Sequence, residues 1–206
     1  MRPRGGPVGA RRVRPEEVGV HNAAEVHRQA LARQIASLAL LHGTFTLRSG
    51  RTSSYYLDKY HFSTRPEVLR QLALLFAERI RAIGDDAGGP VARLAGAELG
   101  GIPLVIAASL ETGLPCVLVR NSKKDYGTGK RLEGTLEKGD RVVLLEDVAT
   151  TGGQALEAVE VLRDAGAEVA AVVATIDRQE GAGEAVRGAG VRFEALFTTT
   201  DLGVTR

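Results

Sequence analysis

The chain has 206 residues, 44% of them hydrophobic and 25% charged, which suits one globular domain with a substantial core. The net charge of +2 is local, because Arg2, Arg4, Arg11, Arg12 and Arg14 leave 22 of the 27 basic residues against 25 acids, which does not suggest a nucleic-acid-binding body. One cysteine excludes an intramolecular disulfide and a multi-cysteine zinc site, which fits a reducing cytoplasm, and no apolar run approaches the length of a membrane span.

Residues 1–20 mix Arg, Gly and Pro without periodicity and lack the apolar core of a secretory signal, so they are expected to form a disordered basic tail. Residues 21–206 are expected to form one domain. Asn22 and Glu25 have the spacing of a capping box, and Val26, Leu31, Ile35 and Leu38 follow at roughly helical spacing up to Gly43. From Phe45 to Asp58 apolar and polar residues alternate around Ser49-Gly50, which predicts a hairpin; with the helix before it, it forms a small N-terminal unit over residues 21–62. Read plainly, such a hairpin covers the edge of a core.

Pro66 to Ile83 is a helix, with proline in its first turn, Leu69, Leu72, Phe76, Ile80 and Ile83 on one face, and Gly84 after it. Arg93 to Pro103 reads as a strand end turning into a helix through Gly100-Gly101. Glycines there bring backbone amides to an anion, or simply make the turn. Pro115 to Val119 is a short buried strand in which Cys116 is a core thiol. The stretch 120–134 is polar, rich in Gly and Lys and aperiodic, which predicts a long mobile loop.

The segment Arg141–Gln154 carries the densest chemistry. Val142 to Leu145 is a run of the kind a parallel strand shows when buried on both faces. Glu146 and Asp147 end it, Thr150-Thr151-Gly152-Gly153 turns it, and Ala155, Leu156, Val159 and Leu162 give a helix stopped by Gly166. Glycines admit a ligand to the backbone, threonine hydroxyls add donors, and a helix N-terminus favours an anion, so the turn is a cradle for a phosphate monoester. No Gly-Lys-Ser/Thr follows, so it is not a Walker loop. Two acids beside a phosphate cradle suit a polyhydroxyl group or a magnesium ion. The plainer alternative is a tight strand-to-helix turn with solvated acids. Glu168 to Ile176 gives another buried strand, ending in Asp177-Arg-Gln-Glu180, where a planar arginine suits a carboxylate ligand and a solvated charge cluster is the alternative. Val191 to Phe197 is the last strand.

The acid pair with Thr150–Gln154 resembles the phosphoribosyl-pyrophosphate (PRPP) signature of type I phosphoribosyltransferases. Three further segments resemble orotate phosphoribosyltransferases: Phe45–Asp58, Arg120–Gly134 and Asp177–Glu180. The resemblance implies an α/β fold with a central parallel sheet of about five strands, helices on both faces and a small N-terminal hood. It implies that Glu146 and Asp147 hold the ribose hydroxyls and that Thr150, Thr151, Gly152, Gly153 and Gln154 wrap the 5′-phosphate. Arg48, Tyr56, Thr150 and Arg178 would meet orotate. Lys124 and Asp125 would be catalytic in a loop that also brings Arg120, Lys123 and Tyr126 to PRPP. Mg²⁺ would be carried by PRPP or pyrophosphate, at most through water to Glu146 and Asp147. Partners would be small-molecule substrates and a second copy of the chain in a homodimer that shares the loop, with neither nucleic acid nor membrane, in the cytoplasm. Asn121 and Tyr126 stand where many members of that family have lysine and histidine, and Gly100 where some members have lysine. A purine phosphoribosyltransferase and a PRPP-sensing regulator are the rival readings.

Overall fold

The computed structural model describes residues 15–46, 50, 52–121 and 131–204, with side chains from residue 25 onward. Helix α1 spans Pro15–Ala39. It therefore starts before the Asn22–Glu25 box expected to cap it, and residues 15–20 of the expected disordered tail are helical. Proline at a first helical turn fixes φ where no backbone donor is needed, which suits a start at Pro15. The remainder of that tail, 1–14, lies outside the described residues.

Strands β1 (Leu40–Thr46) and β2 (Thr52–Leu57) pair antiparallel, from Leu40 opposite Leu57 to Thr46 opposite Thr52, with a bulge between His42 and Phe45. This is the expected hairpin. Its first strand runs through Gly43, where the sequence suggested that a helix stops. A single helical turn, α2 (Tyr60–Ser63), leads to α3 (Pro66–Gly84), whose Val68, Leu72, Phe76, Ile80 and Ile83 are buried at the predicted spacing.

The remaining elements alternate. They are β3 (Arg93–Ala97), α4 (Gly101–Thr112), β4 (Cys116–Val119), β5 (Leu132–Glu133), β6 (Arg141–Ala149), α5 (Gly153–Asp164), β7 (Glu168–Asp177), α6 (Ala182–Gly188) and β8 (Arg192–Thr198). They form one six-stranded sheet in the order β5-β4-β3-β6-β7-β8. Five strands are parallel, as expected, and the two-residue β5 adds an antiparallel edge on β4.

Period-2 alternation in the central strands divides the core in two. Leu94, Val143, Leu145, Ala171 and Val173 pack with α1, α3 and α4 on one face. Ala95, Val142, Leu144 and Val172 pack with Ala155, Val159 and Leu162 of α5 and Val186 of α6 on the other. At about 25 cal/mol per Å² of apolar area, these two layers supply most of the driving force for folding. From β3 the chain moves outward to β4, then returns to place β6 on the other side of β3. The β3/β6 pair is thus the topological switch point, where connections diverge and open a crevice at the carboxyl ends of the strands.

Candidate active site at the switch point

Register decides which loops share that crevice. Ala97 lies opposite Val119, Gly96 opposite Leu145, and Ala149 opposite Asp177. Since these strands are parallel, residues 98–100, 120–121, 150–152 and 178–181 all leave the same edge of the sheet. Each of these four segments was singled out in the sequence on its own composition.

The acid pair sits at the floor of the crevice. Glu146 is 4% exposed and Asp147 is fully buried. Asp147 Oδ1 accepts the N–H of Val148 at 2.6 Å, and Oδ2 lies 2.7 Å from the ammonium of Lys59. Glu146 Oε2 is buried and has no hydrogen-bond partner among the described residues. Burial lifts Glu146 well above the usual carboxylate range, and the adjacent Asp147 charge adds to that. Burial disfavours the Lys59 ammonium, but attraction to Asp147 outweighs it and raises the lysine's pKa above its ordinary value. Two acids with an orphaned oxygen, closed off by one cation, form a site ready to accept hydroxyl donors or a hard cation.

Gly100 of the β3–α4 turn presses on this pair. A β-carbon there would lie 1.4 Å from Asp147 Oδ2. Its φ of −74° suits any residue, so what the position needs is room. Any side chain at Gly100 would displace the Asp147 carboxylate. We expect Gly100→Ala to lower stability by about 1–3 kcal/mol through overpacking and to weaken PRPP binding, read from thermal unfolding and PRPP titration. Unchanged values in both would refute the contact.

The turn expected to cradle a phosphate joins β6 to α5. Gly152 caps α5 at φ +86°, a conformation that favours glycine, and the first turn of α5 presents N–H groups without intrahelical partners. Thr150 is half-buried, Thr151 and Gly153 are exposed, and the Thr150 carbonyl accepts the N–H of Ala182 at 3.0 Å. That bond ties the cradle to the turn after β7.

In that turn Arg178 is held from two sides. Its Nη2 donates to the hydroxyl of Tyr55 at 3.1 Å and lies 3.0 Å from Glu180 Oε1. Its guanidinium carbon stands 5.1 Å from the Tyr55 ring centroid. Gln179, at φ +58°, is fixed by Thr199 and Thr200, whose hydroxyls donate to its Oε1 at 3.1 and 2.9 Å. The hood therefore reaches the crevice through Tyr55. Tyr56 points elsewhere in the hood, 44% exposed and 5.7 Å from the ring of Phe45.

The lysine-rich loop is described only at its base, where the Arg120 N–H donates to the Arg131 carbonyl at 2.8 Å. Arg131 donates in turn to the carbonyls of Arg120 and Asn121, and Arg120 lies 3.9 Å from Glu133. Asn121 donates its N–H to Glu98 Oε1 at 2.6 Å and its amide to the Glu98 carbonyl at 3.2 Å, and Gln154 donates to the same carbonyl at 3.1 Å. One residue of the β3–α4 turn thus joins the loop base to the phosphate cradle, a role for Asn121 that its departure from lysine did not suggest. Lys123, Lys124, Asp125 and Tyr126 lie outside the described residues, as does Arg48 in the hood.

Comparison with known proteins agrees with this layout. Residues 62–194 match the family model of the phosphoribosyl transferase domain. An orotate phosphoribosyltransferase of Natronomonas pharaonis is 49% identical over 164 residues, 80% of this chain and 90% of the relative. One from Methanosarcina mazei is 43% identical over 182 residues, 88% of this chain and 94% of the relative. The chain belongs to the orotate phosphoribosyltransferase family. A solved structure of the Mycobacterium tuberculosis orotate phosphoribosyltransferase, in complex with PRPP, superposes with a TM-score of 0.71 at 31% identity, covering 86% of this chain and 99% of that one.

Two residues that line this candidate site were not singled out in the sequence. Tyr55 and Lys59 both follow the hood turn, and both contact crevice residues far along the chain. The alternation of Tyr55 and Tyr56 across a strand was legible, but which of the two faces the crevice depends on how the hairpin docks.

Proposed function

We propose that the protein transfers the 5-phosphoribosyl group of PRPP to N1 of orotate, giving orotidine 5′-monophosphate and pyrophosphate in pyrimidine biosynthesis. The observation that carries this reading is the meeting of the buried Glu146–Asp147 pair, the Gly152-capped cradle and the Tyr55-held Arg178 at one switch point.

Glu146 and Asp147 accept the ribose 2′- and 3′-hydroxyls, and the amides and hydroxyls of residues 150–154 take the 5′-phosphate. Arg178, held by Tyr55, takes the orotate carboxylate through two parallel N–H donors, with Arg48 and Thr150 around the ring. The bond from C1 of the ribose to pyrophosphate breaks with both electrons going to the leaving oxygen. N1 of orotate supplies the new pair and releases its proton to solvent. Arg120, Lys123 and Lys124 neutralise the pyrophosphate, with Asp125 and Tyr126 beside them. A loop closing over them excludes water that would otherwise hydrolyse the sugar. Magnesium fits a site with two hard carboxylates, one of them with an unpartnered oxygen, and Glu146 and Asp147 would hold it through water. When bound, the ion would reduce the charge that the leaving group develops.

A homodimer in the cytoplasm completes the reading. Leu99 of the β3–α4 turn and Ile106 and Leu110 of α4 are exposed apolar residues, 63%, 43% and 84% accessible, of the kind a second copy of the chain covers. No helix among the described residues is long and apolar enough to cross a membrane.

The test is orotate consumption, followed by ultraviolet absorbance with PRPP and Mg²⁺. We expect turnover in the wild type and a loss of about 100- to 1000-fold in Lys124→Ala, the scale for removing one donor to developing charge. PRPP binding without orotate consumption would overturn the orotate assignment.

A further inference from the structure

Lys59 lies just past the Phe45–Asp58 segment that drew attention in the sequence, and among the described residues it is the cation paired with the buried acids. It follows hood strand β2 and precedes α2, so its position is set by the hood, while its ammonium lies 2.7 Å from Asp147 Oδ2. The Lys59 side chain remains 30% exposed and Asp147 is 0% exposed, so the lysine closes the acid site from the crevice side.

A stabilising role alone explains this poorly. A single buried ion pair roughly breaks even against its desolvation cost, and here the lysine faces two acids, one with an unpartnered oxygen. The same carboxylate oxygen touches the β3–α4 turn, where Gly100 leaves no room for a side chain. That turn can offer an anion backbone dipoles but no cation, and its own carboxylate, Glu98, accepts the N–H of Asn121. Lys59 therefore lies at the junction between the acids and a turn that carries no cation, on a flexible four-carbon stem.

We propose that Lys59 is a substrate-contacting residue that leaves Asp147 when PRPP enters and places its ammonium on the pyrophosphate at the β3–α4 turn. This rests on the reading of Glu146 and Asp147 as the ribose site. The exchange is neutral in count: Asp147 trades an ammonium for ribose hydroxyl donors, and the lysine trades one carboxylate for a more highly charged anion. Lys59 supplies charge and hydrogen bonds as the C1–oxygen bond breaks, and transfers no proton.

The test uses full-length wild type, Lys59→Gln and Lys59→Arg, with calorimetric titration of PRPP, pyrophosphate and ribose 5-phosphate, and steady-state kinetics. We expect Lys59→Gln to weaken PRPP and pyrophosphate about tenfold, the scale of one charged hydrogen bond, to leave ribose 5-phosphate within about twofold, and to leave the KM for orotate unchanged. Lys59→Arg keeps the charge and recovers most of the loss, which also separates a binding effect from misfolding. Equal weakening of ribose 5-phosphate and pyrophosphate would reduce Lys59 to a support for Asp147 and overturn the proposal. So would unchanged PRPP and pyrophosphate affinity with only a shift in Tm. A wild type that binds no PRPP would remove the underlying site reading, an outcome distinct from either.

Discussion

Replacing Arg178 with alanine is expected to lower kcat/KM for orotate about 100-fold while leaving the KM for PRPP within about twofold. Hydrogen bonds to charged groups contribute about 1.5–3 kcal/mol each, and 1.4 kcal/mol is a factor of ten. Arg178 is 12% exposed, so the contact it makes is little screened by water. Lysine at this position keeps the charge but loses the planar fork, and we expect it to recover about tenfold of the loss. Tyr55→Phe separates binding from positioning. It keeps the ring 5.1 Å from the guanidinium and deletes the hydroxyl that accepts from Nη2. We expect a several-fold rise in the KM for orotate with kcat nearly unchanged, since the arginine is still present but less well aimed. If both Arg178→Ala and Tyr55→Phe raise the KM for PRPP rather than orotate, the turn after β7 serves the phosphoribosyl donor and the acceptor site lies elsewhere.

These two residues also mark what could be read from the chain before folding. Arg178 was legible because it stands at the carboxyl end of a run, Glu168–Ile176, that is apolar enough to be buried on both faces. Strands and switch-point loops were legible for the same reason: Val142–Leu145 has no other use than as the centre of a sheet, and acids placed directly after it must lie at the sheet's edge. Helix α3 was visible from Pro66 and its apolar period. Elements without such a signal were missed. Strand β5 is two residues long and owes its pairing to the ends of a loop being brought together, and α6, in the stretch Ala-Gly-Glu-Ala-Val-Arg-Gly, has too little apolar pattern to announce itself. The Lys59–Asp147 and Asn121–Glu98 contacts join segments far apart in sequence, and only the docking of the hood and the register of β3 on β4 create them. Sequence carried the chemistry of each loop; tertiary packing chose which side chains of neighbouring loops meet.

Glu146→Gln should trade function for stability, and the pH dependence gives the mechanism. Burial, with the charge of Asp147 next in size, keeps the folded Glu146 pKa well above its ordinary value of 4.5. The unfolded chain gives up that proton near the ordinary value, whereas the folded protein holds it to higher pH. The contribution of Glu146 to stability is therefore fully present below about pH 4.5 and is lost as pH rises through the folded pKa. Glutamine has the same shape and no proton to lose. The Tm of Glu146→Gln should accordingly exceed that of the wild type at alkaline pH, and the gap should widen from pH 5 upward. PRPP binding should move the other way, weakening by about tenfold or more, because a neutral amide accepts hydroxyl hydrogen bonds less strongly than a carboxylate. A gap in Tm that stays flat across this range would mean that Glu146 is ionised in the folded protein throughout, with its charge compensated by Lys59. In that case PRPP affinity should fall without any gain in stability. A buried, partly unpartnered acid retained at a cost to the fold is what a site held ready for hydroxyl groups requires, and these two measurements, taken together over pH, decide whether Glu146 is that acid.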